Sequence, residues 1–247
     1  MKYAIISDLH ANLEALQAVL DDALPRVDAV VCLGDIVGYN ANPHECLRLV
    51  QETCAVVIAG NHDQAACGVR RYDDFNDWAR QAMDWTRQQL SAVEVDYLQA
   101  LPGSAPFGNG WLAAHGSPRD TDEYLFDALG FEVAFDSLRR LRPEVRGCFV
   151  GHTHLPMIWE CSSEGRMAQV RVESRTVALD PACRYIVNPG SVGQPRNGNP
   201  LAAYAILDEA AATVELRRVP YDVAAAQEKI YDAMLPPLLA ERLAIGR

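Results

Sequence analysis

The first 155 residues alternate short apolar, β-rich runs with helical stretches, and this alternation confines the chain to parallel βαβ units with helices outside. Tyr3–Ile6 reads as a first strand. Asn12 then offers an N-cap, and Leu13, Leu16, Leu20 and Leu24 recur at helical spacing until Pro25. Asp28–Leu33 is a second buried strand closed by Gly34–Asp35, followed by a helix at Pro43–Gln51 and a strand at Ala55–Ala59. The spacing of Trp78, Met83, Trp85 and Leu90 predicts helix over 73–101, with Ser91-x-x-Glu94 a capping box for a shorter helix ending at Pro102. A strand at Trp111–Ala114, a polar loop, a helix at 131–142 and a strand at Cys148–Val150 come next. From residue 156 the texture changes. Met157–Cys161, Met167–Val172, Arg184–Val187, Ala202–Leu207 and Thr213–Arg217 read as an antiparallel meander, before a last helix, Val223–Leu235, stops at Pro236 and leaves a short tail. No repeat or linker interrupts this order, so residues 1–247 are expected to form a single α/β domain of two dissimilar halves.

Charge narrows the partners. Acidic residues outnumber basic ones 33 to 22, giving a net charge of −11, and no Lys/Arg run exceeds pairs such as Arg70–Arg71 and Arg139–Arg140. A nucleic-acid or anionic-membrane partner needs a basic patch, so both are disfavoured. The opening MKYAIISDLH turns polar too soon for a signal-peptide core or a membrane span, and the expected compartment is the cytoplasm. Seven cysteines, an odd number without a C-x-x-C pair, argue against a disulfide framework. Cys32 and Cys148 lie in apolar strand-type runs and are expected in the core.

The histidines carry the functional signal. His10, His62, His115, His152 and His154 each directly follow an apolar strand-like run or lie within four residues of its end; His44, in a turn, reads as a surface residue near a helix start. Asp8, Asp35 and Asp63 stand in the same kind of position. Ligands of open α/β sheets bind at the carboxyl ends of strands. One such histidine is ordinarily a loop residue, and one such aspartate a helix cap. Five segments with this composition, Asp8-x-His10, Gly34-Asp35, Gly60-Asn61-His62-Asp63, His115-Gly116 and Gly151-His152-x-His154, are not explained by capping. Imidazole and carboxylate without thiolate suit divalent transition metals. Asp8, His10, Asp35, Asn61, His115, His152 and His154 make seven candidate ligands, more than one ion can use while staying open to substrate. Two ions sharing a carboxylate can use them, and such a pair serves phosphoryl displacement.

The ordered set D-x-H, GD, GNHD, H and GHTH resembles the calcineurin-like metallophosphoesterases, and Asn188-Pro-Gly-Ser-Val192 resembles a downstream segment of that family. SDLHANLEAL, LGDIVGYNANP and AGNHD look most like its bacterial branch of phosphoesterases and serine/threonine-phosphatase-like proteins. Ala11 departs from the pattern, standing where many members have glycine. The resemblance implies a four-layer α/β/β/α sandwich of two mixed sheets. It implies one metal site from Asp8, His10, Asp35 and His154 and a second from Asp35, Asn61, His115 and His152, with Asp35 bridging. Manganese is expected first, with iron, zinc, nickel or cobalt as alternatives. His62 is implied to contact phosphate or protonate the leaving oxygen, with Asp63 orienting it.

Three further residues are candidates for substrate contact. Arg196 is the one basic residue of a Gly/Pro-rich loop, suited to a phosphate oxygen. Asn12 and Asn40 follow the first two metal-bearing tips; Asn12 is equally suited to capping. Tyr72, Phe75, Trp78 and Trp85 could line a substrate cap or fill a helical core. The expected function is hydrolysis of a small phosphorylated substrate, monoester or diester, by a metal-activated hydroxide. A nuclease of the same fold and a metal-binding interaction scaffold are the alternatives, the first opposed by the acidic balance and the second by the complete ligand set. The oligomeric state is left open.

Overall fold

The computed structural model describes residues 1–170 and 176–247. Strands β1 (Lys2–Ile6), β2 (Ala29–Cys32) and β3 (Cys54–Val57) run parallel, joined through helices α1 (Leu13–Ala23) and α2 (Pro43–Thr53). Asn12 caps α1 by accepting from the Ala15 N–H, and Pro25 sits in the short 3₁₀ turn, Leu24–Arg26, that ends it. Leu24, the last residue of the apolar stripe, is exposed. After β3 come α3 (Asn61–Ala66), α4 (Asp77–Gln89) and α5 (Ala92–Ala100), the last with the Ser91/Glu94 capping box in place. β4 (Ser104–Phe107), β5 (Trp111–Ala114), α6 (Ala128–Leu141) and β6 (Gly147–Phe149) complete the first part of the chain. The second part adds β7 (Met157–Cys161), β8 (Met167–Gln169), β9 (Thr176–Ala178), β10 (Arg184–Asn188), β11 (Ala202–Asp208) and β12 (Thr213–Val219). Helices α7 (Val223–Asp232) and α8 (Pro237–Ile245) end the chain. Beyond Val170, the predicted strand Met167–Val172 lies outside the described residues.

Two six-stranded sheets form, ordered β3-β2-β1-β11-β12-β9 and β4-β5-β6-β10-β7-β8. Each takes three strands from before residue 150 and three from after residue 156. The expected C-terminal meander is therefore corrected. β7, β8 and β10 extend one sheet, with β10 parallel to β6, while β9, β11 and β12 extend the other. The cause is burial. β11 (AAYAILD) is buried on both faces up to Asp208, and a strand of that kind belongs in the middle of a sheet. It pairs antiparallel with β1, from Lys2↔Asp208 to Ile5↔Ala205.

The sheets face each other through Ile5, Val31, Phe149, Val187 and Leu207. The outer face of the first packs Ala4 and Ile6 against Leu16, Val19 and Leu20 of α1. The outer face of the second packs Cys148 and Ile186 against Phe131, Phe135 and Leu138 of α6, with Phe131 stacked on Trp159 at 4.6 Å. This is the four-layer α/β/β/α sandwich. Every cysteine is free, and Cys32 and Cys148 are in the core. Among the described residues no helix is long and apolar enough to cross a membrane.

Candidate metal centre and active site

The loops leaving β1, β2, β5 and β6, together with the first turn of α3, meet at one end of the two sheets. Asp8, His10, Asp35, Asn61, His115, His152 and His154 are all buried there. Five of them hold the left-handed backbone region, with φ of 53° at Asp8, 48° at His10, 52° at Asp35, 64° at His152 and 60° at His154. Each such residue other than glycine costs roughly 1–2 kcal/mol, and strain of this kind collects at functional sites. Ala11 joins them at φ 55°, a conformation glycine would adopt freely.

Backbone bonds between loops keep this conformation. Asp8 N–H donates to Gly34 O, His10 N–H to Asp35 O and Ala11 N–H to Ile36 O, at 3.1, 2.8 and 2.8 Å. The Asn188–Gln194 segment at the end of β10 locks the other side. Asn188 Nδ2 donates to Gly151 O at 2.7 Å and to Thr153 Oγ1 at 3.0 Å. Ser191 Oγ and Gly193 N–H both donate to Asp8 O. Two glycines are forced by close approach: a Cβ on Gly60 would lie 2.1 Å from Asp35 Oδ1, and one on Gly193 would lie 1.7 Å from Leu9 O.

Three of the imidazoles are fixed by their outer nitrogen. His10 Nδ1 donates to Val37 O at 3.3 Å, His154 Nδ1 to Gln194 O at 2.5 Å and His115 Nδ1 to Leu33 O at 2.7 Å. That leaves Nε2 pointing inward. The Nε2 atoms of His10 and His154 face each other at 3.1 Å. Burial holds both rings well below the ordinary histidine range, so both atoms present lone pairs. Asp8 Oδ1 lies 3.4 Å from His154 Nε2, and Asp8 Oδ2 is buried without a partner, as is His152 Nε2. Asp35 Oδ2 stands between two groups, 3.6 Å from His10 Nε2 and 3.3 Å from His115 Nε2. His115 Nε2 also meets Asn61 Oδ1 at 3.2 Å. Burial opposes charge on His115, yet Asp35 and Asp8 outweigh it and hold the ring up at about 10.

Three triads have ligand atoms within 4.8 Å of one another: Asp8–His10–His154, Asp35–His115–His152 and His10–Asp35–His62. The first two each contain three of the four residues expected to hold one ion. The third brings His62 to the same cluster. Lone pairs and carboxylate oxygens facing one another at these distances repel unless a cation lies among them, and the donor types suit a divalent transition metal.

His62 is buried between Tyr39, Phe75 and His10, with ring centroids 4.5, 4.6 and 4.8 Å away. Burial pushes its imidazole down to about 4. Asp63 does not touch that ring. Its Oδ1 accepts from Ile36 and Val37 N–H and its Oδ2 from Gly60 N–H, because the third residue of a helix reaches back to the cap. Asp63 therefore holds His62 only through the backbone.

The substrate candidates separate. Asn12 is occupied on both sides, accepting from Ala15 N–H and donating to Gly193 O at 2.9 Å. Asn40 donates to His10 O at 2.7 Å and keeps a buried Oδ1 without a partner. Arg196 is half-buried, bonded to Gln194 Oε1 and set over Tyr39 at 5.9 Å. Among the aromatics, Phe75 walls the site, Tyr72 packs near it, Trp85 joins the α4/α7/α8 core and Trp78 is exposed. His44 is exposed and bonded to Glu94. Sequence reasoning missed Tyr39, Arg70 and Tyr124, which line a cavity beside His62. Tyr39 lies four residues after Asp35 and could have been found from that spacing; Tyr124 sits in a loop without any pattern.

Comparison with known proteins shows the fold and the family. A structure of a metallophosphoesterase from Sphaerobacter thermophilus is similar over 100% of this chain and 99% of its own, with 41% identity and a TM-score of 0.85. A hypothetical protein from Pyrococcus horikoshii shares the fold at 20% identity, TM-score 0.80, covering 100% and 98% of the two chains. An uncharacterised protein from Methanocaldococcus jannaschii is 38% identical over 251 aligned residues, 99% of this chain and 98% of the relative. The calcineurin-like phosphoesterase pattern matches residues 1–156. The chain belongs to the calcineurin-like phosphoesterases and is a hydrolase of phosphoric ester bonds.

Proposed function

We propose that the chain hydrolyses an ester of a small phosphorylated molecule with the help of two divalent transition-metal ions. The observation that carries this reading is the convergence of buried acceptors, above all the His10 and His154 Nε2 atoms at 3.1 Å beside the unpartnered Asp8 Oδ2. Asp8, His10, Asp35 and His154 would hold one ion and Asp35, Asn61, His115 and His152 the other, with manganese first and iron, zinc, nickel or cobalt as alternatives. When bound, such ions polarise phosphoryl oxygens and lower the pKa of an attacking water. The chain's own contribution is orientation. The outward bonds of His10, His115 and His154 to carbonyls keep their inner nitrogens aimed and limit reorganisation on binding. The His62 ring lines the adjacent cavity, where it would contact phosphate or, once the anion's charge has drawn a proton onto its buried imidazole, protonate the leaving oxygen. Arg196, anchored by Gln194, adds positive charge at the rim. The test is turnover of p-nitrophenyl phosphate and its bis ester by chelator-treated protein supplied with each metal in turn. Metal-dependent turnover of at least one ester is expected; none with any metal overturns the reading.

A further inference from the structure

The cavity beside the acceptor cluster has a volume of about 310 Å³ and opens onto His62 and His152. Aromatic side chains from separate segments enter its otherwise polar lining. Tyr39 and Phe75 pack on the His62 ring. Tyr124 lies on His152 at 3.8 Å, and Phe126 stacks on Tyr124 at 5.3 Å with the two planes 8° apart. Tyr124 is 50% exposed and Phe126 60% exposed. Large rings left in water beside a cavity mark a recognition surface, since burying them elsewhere would stabilise the fold.

The polar part of the lining restricts what the rings can hold. Arg70 donates to Asp122 Oδ2 and to Asp74 Oδ2, both at 2.8 Å, so two carboxylates face one guanidinium. Asp122 Oδ1 is buried without a partner. A second anionic group beyond the scissile phosphate would be repelled here, whereas an N–H donor would find an acceptor. The volume sits at the small end of ligand cavities, room for one ring system and not for a peptide loop.

Resting on the hydrolysis proposed above, we infer that the substrate is a phosphate ester whose alcohol carries a flat, uncharged ring with N–H donors on its edge, the chemistry of a nucleoside monophosphate. The ring packs against the edges of Tyr124 and Phe75, whose faces already carry His152 and Phe126 in one case and His62 and Arg70 in the other, and Asp122 accepts from its edge. Manganese-loaded protein is compared on adenosine 5′-monophosphate, glycerol 3-phosphate and adenosine 5′-triphosphate, by kcat/KM and, separately, by calorimetric binding. The monophosphate is expected to exceed glycerol 3-phosphate by about tenfold or more in both readouts, the scale of one base–aromatic contact. The triphosphate is expected to fall below the monophosphate. Tyr124→Ala, a change at an exposed side chain, is expected to shrink the preference over glycerol 3-phosphate about fivefold or more. Equal values for the monophosphate and glycerol 3-phosphate in both readouts, or a preference that Tyr124→Ala leaves intact, overturn the inference. Selective binding of the monophosphate without turnover of any ester would overturn hydrolysis and support the ring pocket.

Discussion

His10 and His154 stand 144 positions apart in the chain, and their Nε2 atoms meet at 3.1 Å while each Nδ1 donates to a backbone carbonyl on the opposite side of its ring. Two lone pairs at that distance raise the energy of the metal-free fold, so cation binding should appear directly as stability. Saturating manganese at about 100 times its Kd is expected to add about 2.7 kcal/mol. For a chain of this size that is a rise in Tm of roughly 5–10 °C, read by differential scanning fluorimetry with and without chelator. No shift with any divalent transition metal would mean that the cluster is not a cation site.

Among the described residues, Asp35 is the one carboxylate that faces both His10 and His115, through its Oδ2. Asp35→Asn is expected to abolish turnover and to weaken both metal positions together, because an amide oxygen neutralises no charge. Elemental analysis of the dialysed variant should find fewer than two ions per chain. Two tightly held ions would remove the bridging assignment.

His62→Asn should behave otherwise. The His62 ring packs against Tyr39 and Phe75, and its loss leaves the Asp8–His10–His154 and Asp35–His115–His152 groups complete. The variant is expected to keep its ions and lose roughly 10²–10⁴-fold in kcat. An accompanying loss of metal would make His62 a ligand, in keeping with its place in the third triad.

How far this site could be read beforehand follows from where its residues sit. Asp8, His10, Asp35, His115, His152 and His154 cap strands whose apolar runs are plain in the sequence, so their convergence followed from topology. α3 escaped notice because NHDQAA has no apolar period, and β4 because Pro106 disguises an edge strand. α8 lay behind the Pro236–Pro237 pair, where the proline that stops one helix also opens the next. The strand assignment within each sheet was hidden for a different reason. β10 and β11 read alike as short buried strands, and only their partners β6 and β1, far away in sequence, send them to different sheets. Tyr124 belongs to a loop whose shape depends on Arg70 reaching Asp122, and no local pattern encodes such a contact.

Asn188 tests the locking segment. It donates to Gly151 O and Thr153 Oγ1 on either side of His152 and accepts from Gly190 N–H. Asn188→Ala leaves the Gly190 N–H without its acceptor and strips Gly151 O and Thr153 Oγ1 of one of their partners, at a cost of about 1–3 kcal/mol in stability by urea denaturation. Because the bonds orient His152 and His154, metal affinity is expected to fall about 10–100-fold. A stability loss with unchanged metal affinity would confine Asn188 to a structural role.

Asp22 supplies a pH-dependent prediction remote from the site. Burial works against its charge, but the Tyr204 hydroxyl at 2.6 Å and Arg217 at 2.9 Å outweigh it and hold the carboxyl down at about 2. The unfolded value is about 3.9, so the stabilisation is complete above that pH and is lost as pH falls through the folded value. Asp22→Asn is expected to cost about 1–2 kcal/mol at pH 7, with the gap from the parent protein falling to about half by pH 3. Urea midpoints of both proteins at the two pH values are the measurement. A gap that is unchanged or wider at pH 3 would show that the ion pair is not its source.

The interleaving of the chain's two parts in each sheet sets an order on biosynthesis. Residues up to His154 carry all seven expected ligands, yet β1 has no neighbour besides β2 until residues 202–208 exist. The Asp8 and His154 loops are likewise unlocked until Ser191, Gly193 and Gln194 have been added. At a translation rate of about 5–20 residues per second, the 194 − 154 = 40 intervening residues take roughly 2–8 s to emerge from the ribosome. Throughout that interval the nascent chain displays loose carboxylates and imidazoles without the geometry to choose among ions. On the proposed reading, selection of the metal belongs to the finished polypeptide, and a product released within that stretch carries all seven expected ligands without the segment that locks their loops.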